Sequence, residues 1–214
     1  MPEIFAVDFE GTTQDGVWEF GLVQLGQTGL INPLTKICAL PPGASFFLGK
    51  PRKSVPTSDD TKPFQEYFSF FKSLRKRGMF AAHRASVELS LLRNIWPSPG
   101  FVPNFSEETP SSHGLTWGPC IDTFVLCRRY FPQAKTHTLR DAIEFFSLGN
   151  ELRTLAHEMC PPDRRIFHCA LFDAIGCALI LRHLLATVPL TLPQAVAHSL
   201  PLKHFQSLQQ GNLF

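Results

Sequence analysis

The sequence predicts an α/β fold in which a five-stranded mixed sheet is flanked by helices. Two observations predict it. Three strand-like runs crowd into the first 40 residues. Helical periodicities then alternate with short apolar runs, with turn-rich and Pro-rich stretches between them.

Taken in order, Ile4 to Asp8 is a β-branched and aromatic run, and Gly11 to Gly16 is rich in turn residues. Trp18 to Leu25 reads as a second strand and Lys36 to Leu40 as a third, and this short spacing favours an antiparallel meander. Pro41 to Pro63 is rich in Pro, Gly and Ser and reads as loop. Helix signals begin at Thr61, with Pro63 suited to a first turn. Phe64, Tyr67, Phe68, Phe71 and Leu74 recur at helical spacing. Lys72, Arg75, Lys76 and Arg77 read as a solvated helix end, where cations favour the dipole, and Gly78 stops the helix. Met79 to Ala82 is a buried strand, and Ser86 is the expected cap of a helix over Val87 to Trp96.

Pro97 to Pro119 is irregular and long enough to be functional or mobile. Cys120 to Asp122 is a short strand leading into a helix through Tyr130. Thr138 to Leu148 forms a further helix, with Thr138 as cap and Asp141 at the capping-box position. Phe167 to Thr187 is the last long helix. The expected organisation is one domain over residues 1–187 and a tail over 188–214, with a turn or two of helix around Pro193 to Ser199.

Composition bounds the function classes. With 214 residues, 44% hydrophobic and 18% charged, one domain with a sizeable core is expected. The 20 Phe, against 3 Trp and 2 Tyr, point to a core filled by phenylalanine. A net charge of +2 gives no bulk attraction to a polyanion, so any phosphate binding must be local. None of the six cysteines forms a CxxC pair, which favours free thiols in a reducing compartment. The amino-terminal stretch lacks a basic region, and the apolar segment near 169–188 is interrupted by Asp173, Arg182 and His183. The expectation is a soluble cytoplasmic protein with no membrane partner.

Three acidic clusters carry the chemistry. In Asp8-Phe9-Glu10, strand alternation puts both carboxylates on one face and Phe9 into the core. Two carboxylates so close repel, and a divalent cation with a taste for oxygen, Mg²⁺ or Mn²⁺, relieves the repulsion. The second cluster is His83-Arg84-Ala85-Ser86-Val87-Glu88, where a strand passes into a helix. The third runs from His168 to Ala174 and sets Asp173 among apolar helix residues, where a carboxylate is costly unless paired or metal-bound. Each cluster alone also reads as an ordinary solvated or dipole-placed acid. Their order and spacing together are what single them out.

That combination resembles the DEDDh 3′→5′ exonucleases, the DnaQ-like family that includes the bacterial polymerase III proofreading subunit and RNase T. The family's first motif is a strand bearing DxE, here Ala6 to Thr12; its second usually reads HNAxFD, here HRASVE; its third usually reads HxAxxDA, here His168 to Ala174. Ile121-Asp122-Thr123 with Leu126, Arg128 and Arg129 resembles the connecting segment, as does Thr138 to Ala142. The resemblance covers roughly residues 3 to 187. Two positions depart from it: Glu88 stands where the family has Asp, and Arg84 where it often has Asn.

The resemblance implies a ribonuclease H-like fold and a nuclease that uses a pair of divalent cations, Mg²⁺ or Mn²⁺. It implies that Asp8 bridges both ions, that Glu10 and Asp173 hold the nucleophile-side ion, and that Glu88 supports the other through water. His168 would be the general base, which an imidazole titrating near 6.5 can be at neutral pH. Phe9, Gly11, Thr12, Thr13, His83 and Arg84 are the expected substrate contacts, Arg84 touching a phosphate. The expected substrate is a single-stranded 3′ end, DNA more than RNA, and the product a 5′-mononucleotide. Gln210, Leu213 and Phe214 resemble the short peptides that dock on the bacterial sliding clamp, which would set the chain in replication or repair. Two other readings stay open: the same fold with a weakened site that binds without cutting, and an RNA-trimming enzyme of the same chemistry.

Overall fold

Three antiparallel strands open the chain: β1 (Glu3–Thr12), β2 (Gly16–Leu25) and β3 (Leu30–Ile37). The computed structural model describes residues 2–14, 16–37, 64–105 and 113–200. Strand β3 starts at Leu30 rather than Lys36, because a tight turn closed by Gly26 N–H donating to Gly29 O (2.8 Å) returns the chain at once. Its exposed Asn32 and Lys36 mask the strand signal at a sheet edge. Residues 38–63, including the expected loop and the start of the first helix, lie outside the described residues.

A 3-10 turn (Gln65–Tyr67) then leads into α1 (Phe68–Arg77), β4 (Gly78–Ala82) and α2 (Ala85–Ile95). Two short paired strands, β5 (Val102–Pro103) and β6 (His113–Gly114), precede β7 (Cys120–Asp122). Five helices complete the order: α3 (Thr123–Tyr130), α4 (Leu139–Phe145), α5 (Gly149–Met159), α6 (Ala170–Thr187) and α7 (Leu192–Ser199). The main sheet runs β3-β2-β1-β4-β7, with β4 and β7 parallel to β1. This is the expected five-stranded mixed sheet.

Alternation along β1 divides the core. Phe5, Val7 and Phe9 enter an aromatic layer with Phe20, Phe64, Phe71, Phe80, Trp96 and Trp117, under α1 and α2. Ala6 faces the opposite layer, built on α6 with Ile121, Leu126 and Ile143. Helix α6 is long and apolar enough to cross a membrane by length and composition, but most of its residues are buried within the protein. It is the central helix of the second layer, so apolar residues on all its faces serve packing.

Several local expectations need correction. Ser86 does not cap α2: Arg84 is the cap residue, in a left-handed conformation (φ 70°), and makes no side-chain capping bond. Arg75 is not a solvated helix end. It is 1% exposed, and its guanidinium donates to the carbonyls of Trp117 (2.8 Å), Gly78 (2.6 Å), Gly118 (3.1 Å) and Pro103 (3.2 Å). Helix α4 ends at Phe145, and α5 was not anticipated. Thr138 caps α4 as expected, accepting from Asp141 N (3.2 Å), although its hydroxyl donates to the Asp141 side chain rather than completing a capping box. Helix α7 belongs to the body rather than to a tail: Ser199 Oγ accepts from Asp122 N (2.8 Å). Five cysteines, Cys120, Cys127, Cys160, Cys169 and Cys177, are buried and free of disulfides.

Candidate active site

The site forms where β1, the β4–α2 turn and the start of α6 meet. In β1, Asp8 and Glu10 share the face that α6 covers, opposite buried Phe9. A register shift between Glu10 and Gly11 offsets the pairing just beyond them, which continues as Gly11 with Val17 and Thr12 with Gly16. Gly11 is required there, since a Cβ would lie 2.5 Å from Gly16 O. Asp8 keeps some exposed surface as a residue, but its carboxyl group is enclosed. Burial, then the carboxylates of Glu88, Asp173, Glu10 and Glu19, push its acidity well above the usual range.

Glu88, in the first turn of α2, reaches the same place. Its Oε2 accepts from Phe9 N at 2.7 Å, between the two β1 carboxylates. Burial raises Glu88 to about 8; the Phe9 N–H opposes the shift, and Glu10 and Asp173 add to it. From α6, Asp173 Oδ2 accepts from His168 N at 2.9 Å. His168 is exposed and sits in a left-handed conformation (φ 66°) just ahead of the helix. Ligand-capable atoms of Glu10, His168 and Asp173 all lie within 4.8 Å of one another. Four carboxylates and an imidazole far apart in sequence are thus gathered in one place.

The remaining expected contacts divide. Thr12 is half-buried, and exposed Thr13 accepts at its carbonyl from Asn94 Nδ2 (3.2 Å). The Phe9 side chain cannot line a substrate pocket: it is 4% exposed and packs on Phe20 and Phe71. Only its backbone serves the site. His83 spends both ring nitrogens on protein partners, Nδ1 on Thr123 Oγ1 (2.9 Å) and Nε2 on His137 O (2.9 Å). Burial lowers it to about 4, so the ring is neutral and structural at pH 7. Arg84 is exposed and stacks on Phe124, 4.8 Å from the ring centroid. Gln210, Leu213 and Phe214 lie outside the described residues.

Two further acids support the site: Glu19, which no sequence motif marks, and Asp122, which belongs to the connecting segment but has no role assigned by the sequence. Glu19 on β2 is 1% exposed; it pairs with Arg164 and its Oε1 accepts from Ala170 N (3.2 Å), pinning the start of α6 two residues after His168. Gly21 beside it lets α6 approach, for a Cβ there would lie 2.2 Å from Ala170 C. Asp122, the cap of α3, accepts from the backbone of Arg84 (3.1 Å), Ala85 (2.9 Å), Phe124 (3.0 Å) and Val125 (3.3 Å). It fixes the turn that launches Glu88. The available signal was an acid inside an apolar strand for Glu19, and an acid at a strand-to-helix junction for Asp122.

A solved structure of exonuclease X in complex with 5′-overhanging duplex DNA matches 93% of this chain and 99% of its own, with a TM-score of 0.53 and 18% identity. The chain shares its fold. That fold is ribonuclease H-like. A structure of exonuclease I, reported as suggesting how processivity is achieved, matches with a TM-score of 0.53 and 12% identity over 92% of this chain, which spans 43% of that one. No family model matches, and no characterised protein matches by sequence.

Proposed function

We propose that this chain is a metal-dependent 3′→5′ exonuclease that releases 5′-mononucleotides from nucleic-acid 3′ ends, DNA more than RNA, in replication or repair. One observation carries the reading: Asp8, Glu10, Glu88 and Asp173 converge beside His168. The fold likeness to exonucleases X and I supports it.

The donors fit divalent cations. Burial first, and the neighbouring carboxylates after it, raise Asp8 and Glu88, so a cation that compensates their charge is favoured there, and hard oxygen donors suit Mg²⁺ or Mn²⁺. Asp8, Glu10 and Asp173 would hold the ions, with Glu88 in support. Bound ions supply charge neutralisation at the phosphate and acidify the attacking water. His168, exposed at the mouth of the site, accepts the proton of that water at a ring nitrogen. Its backbone bond to Asp173 fixes where the ring begins. The Phe9 N–H holds Glu88 and thereby joins α2 to β1 across the site.

A second reading rests on that same bond. One Glu88 oxygen is committed to Phe9, which favours a weakened site that binds nucleic acid without cutting. Digestion of matched 3′-labelled and 5′-labelled DNA and RNA oligomers with Mg²⁺ or Mn²⁺ separates the readings. Mononucleotides released from the 3′ end are expected; intact oligomers at every metal concentration would reject the enzyme. Docking of Gln210, Leu213 and Phe214 on a sliding clamp is a separate proposal, and unchanged clamp affinity after deletion of residues 210–214 would reject it.

A further inference from the structure

Three exposed arginines near the site lie over aromatic rings, as Lys36, Lys72 and Arg77 do elsewhere in the chain; what sets the three apart is that their supports, Phe124 and Phe167, adjoin the elements that carry the acids. Arg84 and Arg128 both stack on Phe124, at 4.8 and 5.6 Å from its ring centroid. Arg140 stacks on Phe167 at 4.9 Å. Among the described residues the ion pairs are Arg77–Glu3, Arg164–Glu19 and Arg182–Glu151, so none of the three stacked arginines has a carboxylate partner. None of their guanidinium groups donates a hydrogen bond to a described residue.

Stacking holds a guanidinium stiff through its face and leaves its in-plane N–H groups pointing outward. A cation that is ordered yet unpaired, repeated on aromatic supports, suits a chain of phosphates. The three also flank the acidic cluster. Arg84 launches α2, which carries Glu88, and Phe167 immediately precedes His168. His137 links the two stacks: its carbonyl meets His83 Nε2 (2.9 Å), its ring lies 6.5 Å from that of Phe124, and α4 with Arg140 starts just after it. With a net charge of only +2, phosphate attraction has to come from such a local feature.

We propose that Arg84, Arg128 and Arg140 form a rim along which the phosphate backbone of single-stranded DNA lies as its 3′ end enters the site, which rests on the exonuclease reading above. The rim reads backbone rather than base, so binding is insensitive to sequence and steeply dependent on salt.

The test is anisotropy of dye-labelled dT20 in EDTA, so that no hydrolysis intrudes, over a series of NaCl concentrations. Arg84→Asn (Asn tolerates the left-handed backbone), Arg128→Gln and Arg140→Gln are compared with Arg153→Gln, an exposed arginine on α5. Each rim substitution is expected to flatten the salt slope by about 0.7, and the triple variant to weaken Kd roughly 10-fold or more at low salt. Arg153→Gln is expected to keep the wild-type slope. The triple Lys variant, which keeps charge, is expected to recover the slope, which a folding defect would not. A triple neutral variant with the wild-type slope overturns the rim while leaving the enzyme intact. A wild-type protein that binds no oligomer at any salt in EDTA overturns the rim, while the exonuclease reading stands or falls separately on release of mononucleotides with Mg²⁺ or Mn²⁺. Tighter binding of rU20 than dT20 overturns the assignment to DNA.

Discussion

At the scale of single residues, His168 and His83 show how one residue type takes opposite roles. His168 is exposed beside Glu10 and Asp173, whereas His83 is sealed between Thr123 and His137. His168→Ala is expected to lower kcat by roughly 10²-fold or more with an unchanged melting temperature. Unchanged turnover would remove His168 from the chemistry. For His83, burial depresses the folded pKa to about 4 from an ordinary 6.5. The unfolded chain therefore binds the proton first as pH falls. Stability from the neutral ring is whole above 6.5 and is lost between 6.5 and 4, by roughly 3 kcal/mol. His83→Gln should flatten that acid limb relative to wild type in chemical denaturation; parallel curves would refute the assignment.

At the scale of elements, a close contact places the start of α6, and a buried cation ties the opposite layer together. Gly21 admits the start of α6 against β2, and a Cβ there would be 2.2 Å from the helix backbone. Gly21→Ala is expected to cost roughly 3 kcal/mol by forcing α6 away, and to lower kcat as well, because Asp173 and His168 move with the start of α6. A variant with wild-type stability and turnover would show that α6 yields without consequence. On the other layer, Arg75 gathers four carbonyls from Gly78, Pro103, Trp117 and Gly118. Arg75→Met keeps the apolar stem but leaves those acceptors without their donor, for an expected loss of roughly 2–4 kcal/mol in urea melts. A loss within ~0.5 kcal/mol would mean that water replaces the guanidinium.

Across the whole molecule, the sheet and its two helical layers hold several like charges together, and metal should relieve the strain. Asp8 is raised well above its ordinary value and Glu88 to about 8, so both take up protons on folding without metal. Their contribution is present below the ordinary carboxylate range and is lost as pH rises toward 8. The metal-free melting temperature is expected to fall over that window. Saturating Mn²⁺ or Mg²⁺, at about 100 times its Kd, should restore about 2.7 kcal/mol, and Asp8→Asn should abolish the gain. Identical melting with and without metal at pH 8 would contradict the proposed site.

Alternation and spacing in the sequence by themselves determined the strands β1, β2, β4 and β7, the helices α1 and α6, and the shared face of Asp8 and Glu10, because these follow from local backbone geometry. The departures lie where a distant partner overrides local preference. Arg75 looks like a solvated helix end until four carbonyls surround it, and Ser86 looks like a cap until the turn held by Asp122 gives that place to Arg84. His83 reads as a substrate contact until Thr123 and His137 occupy it. Only the tertiary structure decided which acids meet and which ones hold the meeting place, as Glu19 and Asp122 do. The cost of burying a charge depends on groups brought in from far along the chain, and no local pattern records them.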